Sequence, residues 1–161
     1  MKYGEVRMTD ASGNPVPTQT TLQAAAPEAS LTQQRPTARQ SEIDVGAGLP
    51  AGAREQVSYK NGVEVKYGTP GSVRPDWCVG SVCSVEVKNY DVNANSAKLI
   101  DTVATQAIDR AANLPAGMTQ TVVIDIRGQN VTAAQEIAII RGIVGKSNGS
   151  IAPTDIQFKR R

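Results

Sequence analysis

The stretch Arg74-Pro75-Asp76-Trp77-Cys78-Val79-Gly80-Ser81-Val82-Cys83-Ser84-Val85-Glu86-Val87-Lys88 decides the fold. Two β-rich runs, Val73–Val79 and Val82–Tyr90, meet around Gly80-Ser81 and read as an antiparallel hairpin. Side chains alternate across a strand. Cys83, Val85 and Val87 therefore share one face, and Ser84, Glu86 and Lys88 share the other. Glu86 and Lys88 sit roughly 7 Å apart at a rise of about 3.3 Å per residue. The valine face is expected to pack under a helix while the Glu86/Lys88 face opens to a cleft.

The register depends on loop length. A three-residue loop, Gly80-Ser81-Val82, pairs Val79 with Cys83, Cys78 with Ser84 and Asp76 with Glu86. Residues directly opposite face the same side, so the two carboxylates would stand about 5 Å apart at Cβ. Like charges that close call for a cation between them. A two-residue loop instead pairs Cys78 with Cys83, which favours a disulfide, and sets Asp76 opposite Val85. The three-residue loop is the preferred reading; a bulge or a bend at Pro75 could relax either pairing.

Working outward, Asn61-Gly62 between Val57–Lys60 and Val63–Lys66 predicts a type I′ hairpin. Ala38–Val45 reads as a short helix carrying Glu42, broken by Gly46, Gly48, Pro50 and Gly52. Asn95 or Ser96 can cap a longer helix. Its apolar face is expected to hold Ile100, Val103, Ala104, Ala107, Ile108 and Ala111, with Arg110 largely outside it. Thr121–Arg127 reads as a buried strand. Thr132 caps a second helix, running through Val144, with Ile137, Ile140 and Val144 facing the core. Ile156–Lys159 makes a last strand. The expected class is α/β, a sandwich with a mixed central β-sheet flanked by helices. Residues 1–36 are rich in Pro, Thr and Gln and read as a weakly ordered linker, with a short helix at Glu28–Gln34. Residues 37–161 form the folded domain.

Composition excludes much. The chain has 161 residues, 40% hydrophobic and only 4% aromatic, so its core is built from Val, Ile, Leu and Ala. Formal net charge is +2, which announces no nonspecific nucleic-acid coat. There is no histidine, which removes His-metal and Ser-His-Asp chemistry; acid–base work falls to carboxylates, Lys, Tyr, a thiol or metal-activated water. No apolar run is long enough for a membrane span, and stable membrane insertion is not expected.

Asp76, a gap of nine residues, then Glu86-Val87-Lys88 fits a metal-assisted phosphodiesterase site. Carboxylates without His or Cys suit Mg²⁺, which is preferred, or Mn²⁺. Asp76 and Glu86 are the candidate metal ligands, with Glu42 a third, and Lys88 would orient water or neutralise charge on phosphorus. Arg74 and Arg110 are candidate nucleic-acid contacts. Trp77, of opposite parity, is a core anchor. Asp91 reads as a turn residue.

The pattern resembles the Pro-Asp…(Asp/Glu)-x-Lys nuclease superfamily, with its restriction-endonuclease-like fold. Gly71–Asp76 leading to Cys83–Tyr90 is similar to the C-terminal toxin domains of contact-dependent growth inhibition proteins. Residues 50–57, Ala112-Asn113-Leu114-Pro115 and Val123–Gln129 support the likeness, which covers roughly residues 38–160. The resemblance implies a polymorphic toxin carried on a large bacterial surface protein and delivered into the cytoplasm of a neighbouring cell. It implies a metal-dependent nuclease that cleaves tRNA, or alternatively DNA, and is neutralised by a cognate immunity protein. It carries Asp76, Glu86 and Lys88 over as the core site, and Glu42 less directly. A noncatalytic interaction domain of an adhesin is the reading from a different class.

Overall fold

A computed structural model describes residues 34–161. The expectations for the linker and for the helix at Glu28–Gln34 lie outside these residues, apart from Gln34 itself and the short coil up to Pro36. The elements run α1 (Ala38–Ala47), β1 (Arg54–Glu55), β2 (Ser58–Lys60), β3 (Val63–Val65), β4 (Trp77–Val79), β5 (Cys83–Lys88), α2 (Val92–Asn113), β6 (Thr119–Asp125), α3 (Ala133–Lys146), a 3₁₀ turn (Pro153–Asp155) and β7 (Ile156–Lys159). A mixed α/β architecture results. The main sheet has the order β1-β4-β5-β6-β7, antiparallel on its first half and parallel from β5 to β7.

Two β-α-β crossovers, β5-α2-β6 and β6-α3-β7, advance in the same direction across the sheet. Such crossovers are right-handed almost without exception, which sends both helices to one face. There α2 and α3 pack together; a Cβ on Gly142 would lie 2.9 Å from Ile100 Cδ1, so glycine permits the close approach. The principal core lies between this pair and the sheet, and includes Leu99, Val103, Ala107, Val122, Ile124, Ile139 and Ile143. Helix α1 covers the opposite face, where the Trp77 indole lies against Gly46 and donates from Nε1 to the Glu42 carbonyl at 2.9 Å. Trp77 is the anchor its parity implies.

Several expectations are corrected. The Asn61-Gly62 hairpin forms as read, with φ of 51° and 85° at the two turn residues, but β2 and β3 make a separate two-stranded sheet. That sheet joins the body through a smaller core of Val57, Tyr59, Cys78, Leu114 and Met118. Residues 73–76 do not extend β4. Pro75 has no N–H to donate, and Val73 instead bridges Tyr59. Helix α2 begins earlier than read: the Asp91 side chain caps it through Ala94 N–H, and Asn95 is a kink within it. On α2 the buried stripe is Leu99, Val103, Ala107 and Arg110, whereas Ile108 is exposed. On α3 the capping box at Thr132 and Gln135 forms, but Ile139 and Ile143 are buried while Ile137 faces solvent. No helix among the described residues is long and apolar enough to cross a membrane.

Candidate active site

The β4–β5 register is the three-residue-loop alternative. Trp77 pairs with Val85, Cys78 with Ser84 and Val79 with Cys83. Gly80 turns the chain at a φ of 54°, a conformation costly for most other residues. Both cysteines are free thiols, so the disulfide alternative falls. Burial pushes the Cys78 thiol up to about 11, so it behaves as a small core residue.

Extending that register by one residue brings Asp76 opposite Glu86, at the point where Pro75 turns the chain away from β5. Asp76 leaves the ladder but stays attached to it: its Oδ2 accepts from Val87 N–H at 2.8 Å. The carboxylate thus replaces a missing backbone partner while remaining beside Glu86. Burial pushes its pKa up to about 6. The charge of Glu86 adds to this and the Val87 hydrogen bond opposes it, with smaller effects from Glu42 upward and Lys88 downward. Asp76 therefore stands in an environment that resists its negative charge.

Glu86 and Lys88 share a face, as alternation requires, but that face is covered. Glu86 is in register with Val122 and Lys88 with Ile124, both core residues under α2. Glu86 is 7% exposed and Lys88 9%. The valine face is buried as expected, but the expectation that Glu86 and Lys88 face an open cleft is corrected: α2 lies over them, with Arg110 against Glu86. A shallow groove occurs instead on the valine face, between α1 and the sheet, lined in part by Leu49, Val85, Val123 and Phe158.

Burial is tolerable because Glu86 is held between cations. Lys88 Nζ donates to Oε2 at 2.7 Å, and Arg110 NH2 stands 2.8 Å from Oε1. The second contact is close but outside hydrogen-bond geometry, which leaves Oε1 without a hydrogen bond; Arg110 Nε also has none. Gln106, one helical turn before Arg110, also buries an unpartnered Oε1. These are the unpaired buried side-chain atoms among the described residues: two belong to the Glu86–Arg110 contact, and the third is carried one helical turn before Arg110. Such groups each cost free energy and mark strain, catalysis or the seat of a water or ion.

Arg110, a candidate nucleic-acid contact read as largely outside the apolar face of α2, is instead buried and closes over Glu86. The signal for this was present, since Arg110 continues the stripe Leu99–Val103–Ala107. Arg74 is exposed and lies over the ring of Tyr67, 4.4 Å from its centroid. Glu42 reaches the neighbourhood of Asp76 closely enough to influence its charge. Its carboxylate, however, is bound by Arg39 at 3.0 Å, and Arg39 also binds Glu55 at 2.6 Å.

Among the described residues no three His, Cys, Asp or Glu side chains converge into a ready-made cation cage. The donor types still fit a hard divalent ion. Two adjacent carboxylates, one of them resisting ionisation, would be relieved by a positive charge. Asp76 and Glu86 are the residues that would hold it, with Glu42 available if it leaves Arg39. Comparison of the chain with protein-family models, with curated proteins and with solved structures finds no match.

Proposed function

We propose that this chain is a metal-dependent nuclease of the restriction-endonuclease-like class, acting on tRNA. The observation that carries the reading is the Asp76–Glu86 pair: two neighbouring carboxylates at a strand fork, one driven toward its protonated form, with a lysine bonded to the other. A purely structural ion pair would gain nothing from the second acid. The antiparallel-to-parallel switch in the sheet, with the fork at its centre, supports the finer fold assignment.

When bound, Mg²⁺ or Mn²⁺ supplies Lewis-acid activation of the phosphodiester and of water. Asp76 is fixed by the Val87 N–H on Oδ2 at 2.8 Å, while Oδ1 accepts a long 3.4 Å contact from the Gln56 side-chain amide, which a cation would displace. Lys88 has three N–H donors; one holds Glu86 and the others can meet a phosphate oxygen as charge builds on it. Arg110 adds a second positive charge beside Glu86, at 2.8 Å from Oε1. The reading extends to a toxin delivered into a neighbouring bacterium and held inactive in its producer by an immunity protein, as the resemblance implies.

The full chain incubated with total tRNA and with plasmid DNA tests the reading. Mg²⁺-dependent cleavage of tRNA is the expected result, abolished by Glu86→Gln and by Lys88→Ala in proteins that remain folded. Nicked plasmid beside intact tRNA would reverse the substrate. No cleavage of either, with Lys88→Ala as toxic as the parent, would leave a noncatalytic interaction domain.

A further inference from the structure

Among the described residues Tyr67 is the most exposed of the large hydrophobic side chains, at 77%, in a chain with few aromatics. The loop that carries it is closely built. Thr69 donates to the Lys66 carbonyl from its backbone N–H at 3.2 Å and from its hydroxyl at 2.7 Å. Ser72 N–H closes the next turn on the Thr69 carbonyl at 3.1 Å. Lys60 Nζ pins the Pro70 carbonyl at 2.8 Å, and Gly68 and Gly71 take the positive φ values that the path needs. The ring is therefore displayed by its loop, since the contacts that order the loop are made by other residues.

One face of the ring is occupied by the Arg74 guanidinium, and the remainder is open to water. Arg74 is itself held from both sides. Val73 exchanges two 2.8 Å backbone hydrogen bonds with Tyr59, and Pro75 is fully buried. Two residues of chain span at most about 7 Å, so the backbone that carries Arg74 stands within that distance of the backbone that carries Asp76. A guanidinium stacked on an aromatic ring still presents its edge N–H groups, which match a phosphate in two-point geometry.

We propose that Tyr67 and Arg74 form a subsite for one unpaired nucleotide next to the scissile phosphate. The base stacks on the open face of Tyr67 and the phosphate meets the edge of Arg74. Only an unstacked base can lie on the ring, so the subsite selects single-stranded RNA, a loop or an overhang, over continuous duplex. The proposal rests on the nuclease reading and narrows its substrate.

The test is a coupling measurement in the full chain carrying Lys88→Ala, which prevents cleavage. Binding of labelled single-stranded RNA is followed by fluorescence anisotropy, with an abasic residue placed at successive positions. Tyr67→Ala is expected to weaken binding about tenfold, while Tyr67→Phe retains it. One abasic position should weaken binding to the parent by a similar factor and leave Tyr67→Ala unaffected. Equal binding by Tyr67→Ala and the parent would overturn the subsite alone, as would losses that add independently at every position. A duplex of the same sequence bound with the same dependence on Tyr67 would overturn its preference for unpaired strands. A parent that binds no RNA would overturn the nuclease reading with it.

Discussion

Two clusters of acids and arginines flank the central strands, and they are built on opposite terms. In the first, Asp125 at the end of β6 is fully buried and met by Arg127 through Nε at 2.9 and 3.1 Å and through NH2 at 2.5 Å. Arg127 then bonds Asp44 of α1 at 2.8 Å. Burial alone would raise the Asp125 pKa, but the hydrogen bonds of Arg127 and Ser41 outweigh it and the carboxyl is held below its usual range. In the second, Asp76 is pushed up, and Glu86 and Arg110 leave buried atoms unpaired. The first cluster is satisfied and ties α1 to the sheet. The second is held under tension, and tension that the fold retains is expected where a ligand will relieve it.

The difference should be largest in stability. Arg127→Ala leaves Asp125 buried and unpaired and is expected to cost about 3–5 kcal/mol, read from urea denaturation. Asp76→Asn should act in the reverse direction. It keeps an oxygen for the Val87 N–H and removes a charge the site resists. A gain of about 1–2 kcal/mol at pH 7 is expected after allowing for partial solvent screening; under the proposed function the same substitution abolishes cleavage of tRNA. A destabilised Asp76→Asn protein would show that Asp76 is as well accommodated as Asp125.

The pH dependence sharpens the same contrast. The folded Asp76 binds its proton more tightly than the unfolded chain does, so its ionised form weakens the fold at pH 7. That cost fades as pH falls through about 6 toward the ordinary value of 3.8. Asp125 is the converse: its contribution is complete above its ordinary value and is lost as pH falls through the lowered one. Urea midpoints should therefore rise slightly from pH 7 to about 5, then fall below about 4. Asp76→Asn should flatten the first limb and leave the second. The smallest effect belongs to Asp44→Asn, because Asp44 is partly open to solvent; its urea midpoint should move far less than that of Arg127→Ala.

Much of the frame was legible from local chemistry. Gly80-Ser81 placed the turn of the β4–β5 hairpin, though both loop lengths share it; Asn61-Gly62 placed a second turn, and Thr132 the start of α3. What escaped depends on distant partners. A charged residue on a helix reads as solvent-facing unless its counter-ion is known, and Glu86, the partner that makes Arg110 buriable, lies on a strand that α2 crosses only after folding. The covered position of Glu86 and Lys88 was missed for the same reason. Alternation gave their shared face but not which helix would lie on it. Ile137 and Ile139 show the limit of periodicity: Ile140 and Val144 pack against the core as read, but the stripe is centred on Ile139 and Ile143, which leaves Ile137 outside it.

The central claim is that Asp76 and Glu86 form a strained anionic pair that a divalent cation relaxes. Carboxyl-detected NMR titration of the full chain, with and without Mg²⁺, tests it most directly. Asp76 is expected to titrate near 6 without metal, to move down in Glu86→Gln, and to move down in the parent when Mg²⁺ is added, while Asp125 stays low throughout. An Asp76 that titrates near 4 and ignores both the substitution and the metal would contradict it.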